Sequence, residues 1–186
     1  MPDQFIELQT ARLRLIPLSV DHLKLCQNAR EDLAPALNIE LAEDFFFDDV
    51  ILRAIRLKIG KLERLDPAAH DWATYWMIVI ERESGPGIGA GMVGFKGAPN
   101  SAGSVEIGYG IAPSFRNRGF MTEAAQTLID WAFTHSECQN ITATNVLRSN
   151  KASQRALEKM GMERTGTANG TLSWVLTRAE YEAGRA

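Results

Sequence analysis

The chain reads as a mixed α/β fold on three observations. β-Branched and aromatic segments carry a two-residue apolar period, stripes with a helical period interleave with them, and glycine or proline punctuates the joins. Arg12-Leu13-Arg14-Leu15-Ile16-Pro17-Leu18 alternates and is predicted to be the opening strand. Ser19 suits the cap of a short helix running to about Arg30, with Leu23 and Cys26 turned inward. Asp48 or Asp49 begins a longer helix, in which Val50, Ile51, Ala54, Ile55, Leu57, Lys58 and Leu62 give a mostly helical period ending near Arg64. Trp72 to Glu81 is predicted as an apolar strand, and Gly85-Pro86-Gly87 as its turn. Ile88 to Phe95 follows as a glycine-loosened strand, with Pro99-Asn100 and Gly103 forming the next turn.

The next stretch is the most informative. Val105, Ile107, Tyr109 and Ile111 alternate with Glu106, Gly108 and Gly110, so one strand face carries a carboxylate and two glycines and leaves the backbone open to close approach. Ala112-Pro113-Ser114 ends the strand, because proline has no N–H for the ladder. Met121, Ala124, Ala125, Leu128, Ile129, Ala132 and Phe133 then form the stripe of a helix packed on a sheet. Asn140 to Val146 is β-branched and strand-like. Asn150 or Ser149 caps a helix whose apolar face is Ala152, Ala156, Leu157 and Met160, and Gly161 suits its left-handed stop. Thr171 to Leu176 is a late strand, and Thr177 suits the cap of a final turn over Arg178 to Tyr181. The predicted order is β-α-α-β-β-β-α-β-α-β-β.

Composition bounds the function. A chain of 186 residues with 45% hydrophobic content supports one sizeable core, so residues 1–186 are read as a single domain. There is no apolar run near the roughly 20 residues that span a bilayer, which argues against a membrane partner. Met1-Pro2-Asp3-Gln4-Phe5 lacks the basic start and apolar stretch of a signal peptide. Cys26 and Cys138 are too few and too scattered for a disulfide framework or a zinc site, so no metal is expected and a reducing cytoplasm is the simplest location. A net charge of −3 gives no reason to expect nucleic-acid binding.

Between strand and helical stripe lies Arg116-Asn117-Arg118-Gly119-Phe120-Met121. The first N–H groups of a helix lack internal partners, and the aligned peptide dipoles add partial positive charge. Gly119 permits a tight turn and a bulky anion, while Arg116 and Arg118 add full charges suited to phosphate oxygens. The same residues equally suit a solvated arginine loop that caps a helix. No Gly-x-x-x-x-Gly-Lys-Ser/Thr and no Gly-x-Gly-x-x-Gly followed by an acid is present, which argues against a nucleotide or NAD enzyme.

Arg116-x-x-Gly119-x-Met121 resembles the Arg/Gln-x-x-Gly-x-Gly/Ala signature of the GNAT acyltransferases, with Met121 where that motif prefers Gly or Ala. The run from Val105 to Ala124 is similar to the branch holding the ribosomal-protein N-terminal acetyltransferases. Asn150-x-x-Ser153 and Glu158-Lys159-Met160-Gly161-Met162 resemble the family's Asn-x-x-Ser and Glu-Lys-x-Gly-Phe around the following helix. The resemblance implies a central, mostly antiparallel sheet of about seven strands, splayed between the fourth and fifth and flanked by about four helices.

It also implies an N-acetyltransferase that moves acetyl from acetyl-coenzyme A directly to a primary amine, either a peptide N-terminus or a small molecule. The alternative is an acetyl-coenzyme A sensor or partner-binding module on the same fold. Backbone at Tyr109, Gly110 and Ile111 is expected against the pantetheine. Amides of Arg116, Asn117, Arg118, Gly119, Phe120, Met121 and Thr122 are expected on the pyrophosphate, and Asn150 on the pantetheine arm or as a plain helix cap. Glu106 is the candidate base or water-relayed proton path, and otherwise a surface carboxylate. Glu123 rivals it, but its place in the first helical turn suits the dipole. Ser153 is the candidate donor to the departing sulfur, and otherwise satisfies its own helix. Acidic residues Glu40, Glu43, Asp44, Asp48 and Asp49 around Phe45-Phe46-Phe47 suit a cationic amine as well as a loop anchored by buried rings. Either a monomer or a homodimer fits.

Overall fold

The computed structural model describes residues 6–185, so the reading of Met1 to Phe5 lies outside the described residues. In chain order the elements are β1 (Leu8–Gln9), β2 (Leu13–Pro17), α1 (Val20–Asn28), α2 (Arg30–Leu37), β3 (Glu40–Leu41), α3 (Asp49–Leu62), α4 (His70–Ala73), β4 (Trp76–Ile80), β5 (Ile88–Phe95) and β6 (Ser104–Ile111). There follow α5 (Phe120–Phe133), β7 (Asn140–Leu147), α6 (Lys151–Lys159), β8 (Glu163–Ala168), β9 (Thr171–Thr177) and α7 (Arg178–Ala183). The described strands form one sheet in the order β1-β2-β4-β5-β6-β7-β9-β8, with β3 added beside β5. Only β3–β5 and β6–β7 are parallel.

The expected mixed, mostly antiparallel sheet is present, with more strands and helices than expected. β1 and β3 have two residues each, too short for any alternation to register. The single helix expected to run to about Arg30 breaks at Ala29 and resumes as α2, which ends on Asn38 in the left-handed conformation (φ 50°). Trp72 lies in α4 rather than in a strand beginning there, and its ring packs 4.6 Å from that of Trp131. β4 is shorter than predicted because all five of its residues are buried, so no alternation marks its start. The predicted caps are in place. Ser19 accepts from His22 N, Asp48 from Ile51 N, Asn150 from Ser153 N and Thr177 from Glu180 N.

Each sheet face buries its own cluster. On one, Ile78, Val93, Phe95, Val105 and Ile107 pack under Ala124, Leu128, Ile129 and Ala132 of α5. On the other, Met77, Val79 and Met92 pack under Leu23, Leu33, Ile55, Ile59 and Leu62. At about 1.5–3 kcal/mol for each large buried side chain, these two clusters fix β4 to β6 rigidly between helices.

The sheet opens where β6 meets β7. Parallel pairing covers only Ser104–Glu106 against Asn140–Thr142. Beyond it, β7 is irregular between Ala143 and Val146, with Asn145 at φ 57°. A bulge bends its strand and sharpens the twist, so β7 leaves β6 and a gap opens along Ile107–Ile111. This is the splay expected between the fourth and fifth strands. No described helix is long and apolar enough to cross a membrane.

Candidate functional site

Main-chain direction at the gap follows from the ladder. Lys96 N donates to Glu106 O at 2.8 Å and Ala112 N donates to Ala90 O at 2.7 Å, so the even-numbered residues of β6 turn their peptide groups toward β5. Strand alternation then turns those of Ile107, Tyr109 and Ile111 into the gap. Gly91 lets β5 press close on this strand, since a Cβ there would lie 2.4 Å from Gly110 O.

The gap leads to the start of α5. Arg116 N closes a turn on Pro113 O, Asn117 adopts φ 58°, and Gly119 caps the helix at φ 83°. Glu123 N is the first amide of this run to donate back, to Gly119 O at 3.0 Å. Among the described residues, the N–H groups of Asn117, Arg118, Gly119, Phe120, Met121 and Thr122 have no protein acceptor. Five of these six residues line a cavity of about 630 Å³, together with Tyr109, Gly110, Ile111, Arg116, Asn150 and Ser153. Free helix-start donors and gap-facing strand amides thus share one cavity.

Opposite stands α6. Asn150 Oδ1 accepts from Ser153 N at 3.0 Å, which leaves its amide group at the cavity wall. The Ser153 hydroxyl lies 3.0 Å from that of Tyr109. Burial raises the Tyr109 phenol above its ordinary value, and the Ser153 contact offsets only part of that rise. Ala152, Arg155, Ala156 and Lys159 also line the cavity and were missed in the sequence. Their signal was a second basic pair, Arg155 and Lys159, one helical turn apart beside small alanines.

Two expected site residues stand outside that lining. The Arg118 guanidinium lies over the rings of Phe115 and Phe120, 5.4 and 4.9 Å from their centroids. Glu106 Oε1 accepts from Lys96 Nζ at 2.5 Å and from Thr144 Oγ1 at 2.6 Å. Burial raises its carboxyl, but those two hydrogen bonds and the Lys96 charge outweigh it and hold the group below its ordinary value. Glu123 is engaged by Arg12 and by Thr10 Oγ1. Arg12 also donates to Arg118 O at 3.3 Å, which braces the loop from β2.

The acidic, aromatic stretch borders the site. Asp44 accepts from Ser114 N and Ser114 Oγ, both at 2.7 Å, and so ties this stretch to the end of β6. The rings of Phe45 and Phe46 stack with centroids 5.1 Å apart. A Cβ on Gly110 would lie 2.9 Å from the Phe46 ring. No described group of three His, Cys, Asp or Glu residues is placed to hold a metal ion.

Comparison with known proteins agrees with the fold. The GNAT acetyltransferase domain model matches residues 12–163. An N-acetyltransferase of Bacillus subtilis, YjdG, described as uncharacterized, is 33% identical over 159 residues, which are 83% of this chain and 88% of that protein. Among solved structures, the ribosomal-protein-S5-alanine acetyltransferase from Vibrio fischeri superposes with a TM-score of 0.60 at 18% identity, covering 92% of this chain and 96% of that one. An acetyltransferase from Salmonella typhimurium, described as modifying the N-terminal serine of ribosomal protein L7/L12, gives 0.61 at 15% identity, over 92% and 99%. These two likenesses are of fold.

Proposed function

This chain belongs to the GNAT acetyltransferase family and is an acyltransferase, and from that premise we propose that it carries an acetyl group from acetyl-coenzyme A directly to a primary amine. One observation carries the reading. A run of helix-start amides without protein acceptors opens into the same cavity as the gap-facing amides of β6.

Acetyl-coenzyme A supplies the acetyl group as a thioester. The amides from Asn117 to Thr122 hold its diphosphate, where full anionic charge meets the positive end of the α5 dipole. Arg116, Arg155 and Lys159 line the cavity without an ion-pair partner among the described residues, so their charge is available to phosphate. The pantetheine arm lies along β6 as an added partial strand, served by the main chain of Tyr109 and Ile111 and by Asn150. A gap-facing N–H at the same level holds the thioester carbonyl oxygen as negative charge builds on it. Ser153, oriented by Tyr109, holds a proton for the departing thiolate. Glu106 takes the amine's proton, directly or through water.

The acceptor is a peptide N-terminus or a small primary amine, and the two ribosomal-protein acetyltransferases of like fold favour the peptide. The test is to mix the purified protein with acetyl-coenzyme A and a broad amine and peptide panel while following free thiol. Amine-dependent thiol release with acetylated product is expected; coenzyme A binding without release for any amine would leave a sensor module in its place.

A further inference from the structure

One side chain from outside the cavity reaches the loop that supplies its donors. Arg12 precedes β2 and is fixed there by the sheet, since Arg12 O accepts from Glu81 N at 3.0 Å and Arg12 N donates to Thr10 Oγ1 at 3.2 Å. Its guanidinium then grips the start of α5. Nε donates to Glu123 Oε2 at 2.8 Å, Nη2 donates to the same oxygen, and Nη1 donates to Arg118 O at 3.3 Å. The guanidinium carbon also lies 4.6 Å from the Phe120 ring centroid. Thr10 Oγ1 completes the clamp by donating to Glu123 Oε1 at 2.6 Å.

These contacts bear on the anion site in two ways. The Arg118–Gly119 peptide is trans, so its N–H points opposite to its C=O. Arg12 stands outside the cavity lining and holds that carbonyl on its own side, which turns Gly119 N–H toward the cavity that Gly119 lines. The second way is charge. Glu123 lies about 6 Å beyond Gly119 along the helix, where a bare carboxylate would repel a diphosphate seated on the amides before it. Burial raises the Glu123 carboxyl, but the Thr10 and Arg12 hydrogen bonds and the Arg12 charge outweigh it and hold the group below its ordinary value. Glu123 is therefore ionised at neutral pH, and Arg12 cancels its charge.

We infer that Arg12 is a positioning residue for coenzyme A, which fixes the Arg118–Gly119 peptide and neutralises Glu123 without touching the ligand. The inference rests on the acetyl-coenzyme A reading above and adds a residue to it from the far side of the loop. Breaking the pair from its two ends then has opposite effects. Loss of Arg12 frees the peptide and bares the carboxylate, and both weaken anion binding. Loss of the Glu123 charge keeps an acceptor for Arg12 and leaves its cation uncompensated beside the site, which favours the anion. A purely structural ion pair gives losses of the same sign from both ends.

Calorimetry with coenzyme A on the purified variants tests this. Arg12→Ala should raise Kd about tenfold and the acetyl-coenzyme A KM alike, with kcat at saturation within about twofold. Arg12→Lys keeps the charge but loses the fork that reaches two acceptors, so Kd should rise about threefold. Glu123→Gln should leave Kd unchanged or lower, and adding it to Arg12→Ala should recover part of the lost affinity. Should Arg12→Ala fail to fold, the contrast between Arg12→Lys and Glu123→Gln decides the matter. Weakening of the same size from both ends of the pair, or an unchanged Kd in the Arg12 variants, would overturn the inference and leave the clamp as plain structure. A wild-type protein that binds no coenzyme A would instead remove the reading beneath it.

Discussion

The Tyr109 hydroxyl lies 3.0 Å from the Ser153 hydroxyl and joins β6 to α6 across the cavity at the splay. Because burial raises the phenol, Tyr109 stays protonated through the neutral range and keeps a proton available to this contact. If the pair serves the departing sulfur, Ser153→Ala and Tyr109→Phe should each lower kcat by about 10²-fold, at the low end for general acid catalysis. The double variant should fall little further, since both residues act through one proton path. Acetyl-coenzyme A KM should change little. Wild-type kcat in both single variants would exclude the pair from proton transfer.

Gly119→Val probes the anion site. Gly119 caps α5 at φ 83°, where an L-residue costs about 1–2 kcal/mol. Relief of that strain turns the adjoining peptides away from the cavity. A loss of about 1.4 kcal/mol corresponds to a tenfold weaker Kd, so coenzyme A binding in calorimetry should weaken by about that factor or more. Circular dichroism should still report a folded chain, because Ala124, Leu128 and Ile129 keep α5 on the sheet. Unchanged affinity would mean that these amides do not hold the diphosphate.

Sequence and structure agree where a local signal existed. The alternation of Val105 to Ile111 and the stripe from Met121 to Phe133 gave β6 and α5 within a residue or two, because each has one buried and one open face. Asn150 was open between a cap and a cofactor contact; it is a cap that also lines the cavity. Trp72 was misplaced because an apolar run without alternation hides the boundary between α4 and β4. The approach of Phe46 to Gly110 leaves no local signal, because the two residues are distant in the chain.

Lys58 is a buried cation that holds structure beside the sheet. Its Nζ donates to Ala73 O at 2.8 Å, Thr74 O at 3.1 Å and Phe95 O at 2.7 Å, so α3 is laced to α4 and β5. Lys58→Met would strip these carbonyls of their donor and should cost about 1–3 kcal/mol in urea unfolding. Burial first, and then the charges of Lys61 and Lys96, pushes the ammonium down to about 7 from 10.5. The three carbonyls pull the other way, since a neutral amine has only two N–H groups to offer. With the folded value lowered, the unfolded chain binds the extra proton between those two pH values, so stability should rise with pH across that window. The Lys58→Met variant should lack that rise; an identical slope in both proteins would assign it elsewhere.

Glu106 makes two separable predictions. Its carboxyl is held below the ordinary 4.5, because Lys96 and Thr144 donate to it more effectively than burial opposes its charge. A depressed carboxyl stabilises the fold above the unfolded value, and that contribution is lost as pH falls through the folded value. Glu106→Gln should therefore flatten the decline in urea midpoint below pH 4.5. Catalysis offers the other test. An α-amine acceptor with a pKa of about 7.7–8.0 needs a base most at about pH 6 and least at about pH 9. If Glu106 takes that proton, the kcat ratio of wild type to Glu106→Gln should be large at the lower pH and shrink toward unity at the higher. A ratio constant across the range would leave Glu106 as the Lys96 partner and move the proton to bulk water.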